Sequence, residues 1–349
     1  MNHPPVLSGA ECDVGQDASV GQVVDGLRKL ICDEIPSARD ITLEGFSRAA
    51  GGLSRENWSL DASWTDSSGP HAHRLILMRD AAGTLLNTDR SHEFLVLKAL
   101  EATAVAAPVA YWMDPDGRFL GAPSVVMERV TGSCDYMVLN GSRPIQERLE
   151  LAYAFLELLV EIQAVDWRAR GLGQCLEIPE SSSADSVLHK WAEEYTRVKL
   201  EPHPEMDYVL DWLGRTAPTA GEVVLVHGDF KPGNALIDDQ RITAKLDWET
   251  AHLGDPLEDL GWITNPVRKR EHQISGHWER QQIVDAYRKL TGRSVCETDL
   301  IWWNIFSCWK LAVIQLTAVN EFVAGRYNRV FHTPTWLFRP MLQMMDSAR

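Results

Sequence analysis

The sequence predicts an α+β fold in two lobes, a small β-rich N-terminal lobe and a larger, mainly helical C-terminal one. Three observations point there. Residues 41 to 130 carry short β-type runs around a single helical stretch, residues after Gly132 turn helical, and one β-type interruption at 223 to 248 divides the helical half. With 349 residues, 45% of them hydrophobic, the chain can bury a substantial core. The expected organisation is a tail and helix at 1–40, an N-lobe at 41–130 and a C-lobe at 131–349.

Taken in order, residues 1 to about 20 are polar and read as a loose tail, and Val23, Val24, Leu27, Leu30 and Ile31 then repeat at helical spacing. In the N-lobe, Trp58 to Trp64 alternates, Arg74 to Met78 is continuous, and Pro123 to Met127 is a third strand candidate. Between them, residues 88 to 101 predict a helix with Phe94, Leu95, Leu97 and Leu100 on its apolar face. Beyond Gly132 the helix candidates are Ile145 to Val165, Ala184 to Val198, and Met206 to Leu213, the last ending at Gly214 as a C-cap would. Ser181 to Ala184 reads as a loop. The turn Asp238-Asp239-Gln240 joins two strands, and Asp255-Pro256 opens a helix, with Asp255 as cap and Pro256 in its first turn. Asp255 and Asp259 are read as structural. Ile301, Trp302, Trp303, Phe306 and Trp309 make a helix apolar all round, which belongs in a core.

The formal net charge of -15 argues against a nucleic-acid binder. Six cysteines are scattered without metal-ligand spacing, which suits a reduced, cytoplasmic protein. The first residues lack the basic and apolar regions of a signal peptide, and no apolar run approaches the roughly 18 residues of a membrane span.

His227-Gly228-Asp229, Asn234 and Asp247 fall within 21 residues between apolar strand-like runs. That array suits phosphoryl transfer from ATP, which requires a carboxylate to accept or orient a hydroxyl proton and oxygen ligands for Mg2+. Asp229 is the catalytic candidate, Asn234 and Asp247 the metal candidates, and Lys231 a cation beside the transferring phosphoryl group. His227 reads as a hydrogen-bonded brace of the loop. Glu249 is a secondary candidate. Upstream, Gly51, Gly52 and Ser54 form a turn whose backbone amides suit phosphate oxygens. Arg79 closes a strand and Glu93 stands on the next helix, so a phosphate-contacting cation held by a helix carboxylate is expected there. Glu128, Arg129 and Val130 leave the sheet toward the helical half and are the candidates to meet an adenine ring. No P-loop or dinucleotide-binding glycine string occurs.

On these residues the chain resembles the aminoglycoside phosphotransferase-like kinase family over about residues 41 to 325. The shared strings are Gly51-Gly52-Leu53-Ser54, Leu77-Met78-Arg79, Val126-Met127-Glu128, His227-Gly228-Asp229 with Asn234, Leu246-Asp247-Trp248-Glu249, and Gly254-Asp255-Pro256 with Asp259-Leu260. The segment from Leu246 to Trp262 is most similar to the branch of kinase-like domains fused to acyl-CoA dehydrogenases, whose members phosphorylate the hydroxyl of hydroxyacyl-CoA thioesters. The resemblance implies a protein-kinase-like bilobal fold, ATP and Mg2+ as cosubstrates, and an acceptor pocket among the C-lobe helices. Arg55 stands where the family often has Asn and Gln163 where a His is common, and the first 40 residues match no family pattern.

The acceptor is read from charge. A cationic aminoglycoside would favour an acidic pocket, yet residues 255–349 hold 12 Lys and Arg against 10 Asp and Glu. Arg268-Lys269-Arg270 is expected to be a solvated run that also suits an anionic acceptor. The sequence thus predicts an ATP- and Mg2+-dependent kinase for a small-molecule hydroxyl acceptor, with a hydroxyacyl-CoA or related apolar hydroxy compound preferred. An aminoglycoside or macrolide phosphotransferase is the alternative, and a catalytically silent nucleotide-binding protein the alternative of another class.

Overall fold

The structure, a computed structural model, describes residues 20–48, 55–80, 90–219, 221–326 and 333–348. Helix α1 (Val20–Glu34) is followed by strands β1 (Arg39–Arg48), β2 (Arg55–Asp66) and β3 (Gly69–Asp80), helix α2 (Arg90–Leu100), and strands β4 (Ala110–Asp114) and β5 (Ser124–Glu128). The five strands form one antiparallel sheet in the order β1-β2-β3-β5-β4. Because side chains alternate along a strand, the sheet has two distinct faces. One carries Trp58, Leu60, Ala62, Trp64, Leu75, Leu77 and Val126 and is covered by Val23, Leu27, Leu30 and Ile31 of α1. The other carries Ile76, Met78, Val125 and Met127 and joins Val96, Leu97 and Leu100 of α2 to the C-lobe core. Helix α1, grouped with the tail by sequence, thus shares the core of the N-lobe sheet.

The C-lobe is built from α3 (Ile145–Gln163), α4 (Ser183–Val198), α5 (Pro204–Thr216), α6 (Leu257–Thr264), α7 (Lys269–His272), α8 (Arg280–Thr291), α9 (Glu297–Val323) and α10 (Thr335–Ser347). Between α5 and α6 lie two short antiparallel pairs, β6 (Val224–Val226) with β9 (His252–Gly254) and β7 (Ala235–Asp238) with β8 (Arg241–Lys245). The β7–β8 turn has Asp239 at φ 55°, a left-handed position that aspartate tolerates. Ser182 caps α4, so Ser183 and Ala184, expected in a loop, form its first turn.

Helix α9 is the axis of the lobe. Trp302, Trp303, Phe306 and Trp309 are each 0–1% exposed, and the indoles of Trp302 and Trp309 donate to the carbonyls of Leu213 and Met206 at 3.0 and 3.1 Å. That packing explains a departure from expectation. Helix α5 does not stop at Gly214 but runs to Thr216, because Met206, Val209 and Leu213 are buried and their side of the helix is tied to α9. A mid-helix glycine costs about 1 kcal/mol, which such burial outweighs.

Helix α6 crosses α9 at Gly261, where an added Cβ would stand 2.5 Å from the Cβ of Trp303. No side chain fits without separating the helices. Gly261→Ala is therefore expected to lower stability by about 1–3 kcal/mol in urea unfolding followed by tryptophan fluorescence.

Candidate active site

The site is assembled on the loop after β6. Its first support is Asp259 of α6, fully buried, whose carboxylate oxygens accept the backbone N–H groups of His227 at 2.7 Å and Gly228 at 3.0 Å. Gly228 has φ 81°, and a Cβ there would stand 2.7 Å from the carbonyl oxygen of Thr250. Only glycine meets both demands. The Gly228 carbonyl accepts from Nζ of the buried Lys310 on α9 at 2.7 Å, and Thr250 Oγ1 donates to the His227 carbonyl at 3.0 Å.

His227 braces the loop from inside. Its Nε2 lies 3.0 Å from the Leu246 carbonyl while Nδ1 accepts the Asp229 N–H at 3.2 Å, which specifies the neutral Nε2–H tautomer. Burial, with Lys245 nearby, pushes its imidazole well below the ordinary range, so it stays uncharged. Asp229 is presented with its side chain 21% exposed, ion-paired to Lys231 and accepting from Asn234 Nδ2 at 2.9 Å. Burial raises its carboxyl, but Lys231 and Arg268 outweigh that and hold it well below the usual carboxylate range.

The β7–β8 pair brings in the remaining groups. The Leu246 N–H donates to the Asn234 carbonyl at 2.8 Å, which ties the loop to the segment carrying Asp247. Asp247 sits in the left-handed region at φ 69°, just before a turn whose Trp248 is buried against the His227 ring at 4.8 Å. The Asn234 amide nitrogen donates to Asp229 at both its carboxylate and its carbonyl, at 2.9 and 3.2 Å, so Oδ1 is not used in these two bonds. That oxygen and the Asp247 carboxylate are hard donors of the kind Mg2+ takes.

Lys245 carries no signal in the sequence beyond a lysine inside an apolar strand. It is fully buried, donates to the carbonyls of Lys231 and Asn234 at 3.2 and 3.1 Å, and lies 4.8 Å over the Phe230 ring. Burial brings its ammonium down to about 7. Glu258, next to Asp259, is equally buried and is bound by His252 at 2.9 Å and Lys310 at 3.3 Å. Gln163, where a His is common in the family resembled, is a packing element: its amide bonds the Pro256 carbonyl at 2.8 Å and accepts from Tyr287 at 2.7 Å.

Other expected residues fall elsewhere. Gly51, Gly52 and Ser54 lie outside the described residues. Arg79 is not held by Glu93: its Nη1 donates to Glu56 Oε2 and its Nε to the Leu120 carbonyl, both at 2.8 Å. The reason is strand alternation. Arg79 follows Leu75 and Leu77 onto the face covered by α1, and Glu56 is its direct neighbour on β2. Glu93 is buried on α2, which packs on the opposite face. Glu128 ends β5, and Arg129 and Val130 follow it outside the strand. The N–H groups of Glu128 and Arg129 bond the carbonyls of Val109 and Arg74 at 2.8 Å, and the Arg129 guanidinium pairs with Asp61. Among the described residues the Val130 N–H has no hydrogen-bond partner. Arg268 separates from its neighbours in the basic run, being 7% exposed while Lys269 and Arg270 face solvent.

A β-rich lobe joined by one connector to a helical lobe, with this loop between short strand pairs, defines a kinase-like phosphotransferase fold. The chain belongs to the phosphotransferase enzyme family, whose family model matches residues 46–292. It is 27% identical over 279 residues to acyl-CoA dehydrogenase family member 11 of Rattus norvegicus, covering 72% of this chain and 34% of that protein. It is 29% identical over 196 residues to acyl-CoA dehydrogenase family member 10 of Mus musculus, covering 54% and 18%. The chain thus spans about a third or less of these relatives. Among solved structures, macrolide 2'-phosphotransferase MphH from Brachybacterium faecium superposes with TM-score 0.54 at 20% identity, covering 93% of this chain and 96% of that one. Aminoglycoside phosphotransferase APH(4)-Ia, solved with AMP-PNP and hygromycin B, superposes with TM-score 0.56 at 15% identity, covering 88% and 95%.

Lys245→Met leaves two loop carbonyls without their donor, a loss of about 1–3 kcal/mol in loop order. We expect a variant that folds but whose kcat in a phosphoryl-transfer assay falls about 10- to 100-fold, with the acceptor KM little changed.

Proposed function

We propose that the protein is an ATP- and Mg2+-dependent small-molecule kinase that moves the γ-phosphoryl group to a hydroxyl of an organic acceptor. The observation that carries this reading is the convergence of Asp229, Lys231 and Asn234 on one loop clamped by Asp259, with Asp247 two residues beyond β8 and next to Leu246, whose N–H bonds the Asn234 carbonyl. The carboxylate of Asp229, kept ionised by its cationic neighbours, orients the attacking hydroxyl and receives its proton as the new oxygen–phosphorus bond forms and the bond from the γ-phosphorus to the bridging oxygen breaks, releasing ADP. Lys231 neutralises charge on the transferring phosphoryl oxygens. Asn234 Oδ1 and Asp247 would hold Mg2+, which supplies charge neutralisation along the phosphates. The connector Glu128–Val130 would meet the base through its remaining carbonyls and the Val130 N–H. Gly51, Gly52 and Ser54 keep the role of a phosphate-facing turn, while Arg79 acts through the N-lobe strands it ties together.

For the acceptor, a hydroxyacyl-CoA or related hydroxy compound is favoured by likeness to the acyl-CoA dehydrogenase family members and by the buried cation Arg268 near Asp229. Likeness in fold to the macrolide and aminoglycoside phosphotransferases keeps an antibiotic acceptor as the second reading. The intact set of Asp229, Asn234 and Asp247 argues against a silent protein.

Transfer from [γ-32P]ATP to a panel of hydroxyacyl-CoAs, macrolides and aminoglycosides tests this directly. Wild type is expected to label at least one hydroxyacyl-CoA, and Asp229→Asn to lose about 100-fold or more of that rate. Equal labelling by both proteins would sink the mechanism, and labelling of antibiotics alone would replace the acceptor.

A further inference from the structure

A second polar cluster adjoins the loop and has no task in the mechanism above. The Tyr136 ring packs on the loop, 3.3 Å from where a Cβ on Gly233 would stand, and its hydroxyl donates to Glu271 Oε1 at 2.6 Å. The other oxygen of Glu271 takes the Arg268 guanidinium, which lies 4.2 Å over the Trp262 ring. Both side chains of this ion pair are 8% exposed. Burying such a pair contributes little stability relative to apolar packing, so its presence here asks for another reason.

Three buried nitrogens on this one turn, Arg268 Nε, His272 Nε2 and Gln273 Nε2, have no hydrogen-bond partner among the described residues. Buried donors nearly always have one. Arg268 Nε and Gln273 Nε2 are donors only, so each calls for an acceptor. His272 also lines an apolar cavity of about 20 Å³ together with Phe230 and Pro232 of the catalytic loop, so the turn and the loop share a wall.

We propose that Arg268, braced by Glu271, Tyr136 and Trp262, reads the acceptor by receiving a carboxylate or thioester carbonyl oxygen of a hydroxyacyl compound whose hydroxyl faces Asp229. This assignment rests on the kinase reading and names the residue that selects its substrate. A polycation would meet Arg268 and Lys231 as like charges.

The test compares wild type, Arg268→Met and Arg268→Lys on 3-hydroxybutyrate, 3-hydroxybutyryl-CoA, butan-2-ol and kanamycin, with [γ-32P]ATP as donor. Arg268→Met is expected to raise the KM of the acyl acceptor about 30-fold, the loss of one charged hydrogen bond, with the ATP KM within about twofold. Arg268→Lys recovers part of it, and butan-2-ol, which lacks the acyl oxygen, is unaffected. Which of the acid and the thioester is used tells which oxygen is read. Should Arg268→Met fold poorly, Tyr136→Phe removes the bond to Glu271 from a half-exposed residue and is expected to raise the same KM selectively, by about threefold to tenfold. An equal effect on acyl compounds and butan-2-ol, or transfer to kanamycin alone, overturns the assignment while the kinase stands. No transfer to any acceptor, in wild type as in Asp229→Asn, overturns the kinase reading and the assignment together.

Discussion

Two backbone N–H groups, those of His227 and Gly228, end on the single buried carboxylate of Asp259. The rest of the site depends on this clamp. It fixes the loop at the one residue whose left-handed backbone turns the chain toward Asp229, and it does so from α6, the helix that crosses α9 at Gly261. Core packing and the geometry of the candidate site are therefore joined through one side chain. Burial and the neighbouring Glu258 push the Asp259 carboxyl up to about 6, while the two N–H groups favour its ionised form.

Around that clamp, buried charge is arranged in compensating sets. Lys310 donates to the Gly228 carbonyl and to Glu258, and Glu258 is also bound by His252. Lys245 supports the loop from the opposite side through the carbonyls of Lys231 and Asn234. Lys310 and Lys245 each bind backbone oxygens of the loop, while Lys231 is the cation paired with the Asp229 carboxylate. Preorganisation of this kind lowers the reorganisation required when charge moves in the transition state.

Much of this is legible in the chain itself. The helical and strand periods locate the β-rich lobe, the strands around the loop and the apolar α9, because each period reflects burial on one face or all round. Asp229, Lys231, Asn234 and Asp247 were legible because their spacing is local. What escaped depends on which face a residue takes. Arg79 pairs with Glu56 rather than Glu93 since Leu75, Leu77 and Arg79 alternate onto the α1 side, a parity that the strand pattern did contain. Asp259 reads as a helix-start residue, and its bonds to a loop 31 and 32 residues earlier need the fold. Lys310 and Tyr136 reach partners 82 and 135 residues away, and Lys245 bonds carbonyls 14 and 11 residues before it, with no local pattern to mark them. Gly214 misled as a helix end, because tertiary packing on α9 outweighed its propensity.

The Asp259 clamp is tested most directly by the rate of phosphoryl transfer by Asp259→Asn beside its amide hydrogen exchange at His227 and Gly228. An asparagine amide offers one acceptor oxygen where two N–H groups converge, and turns a donor toward the second. The variant is expected to fold and still bind ATP, to exchange these two amides faster, and to transfer phosphate at least about 100-fold more slowly. Unchanged transfer with unchanged protection would contradict this.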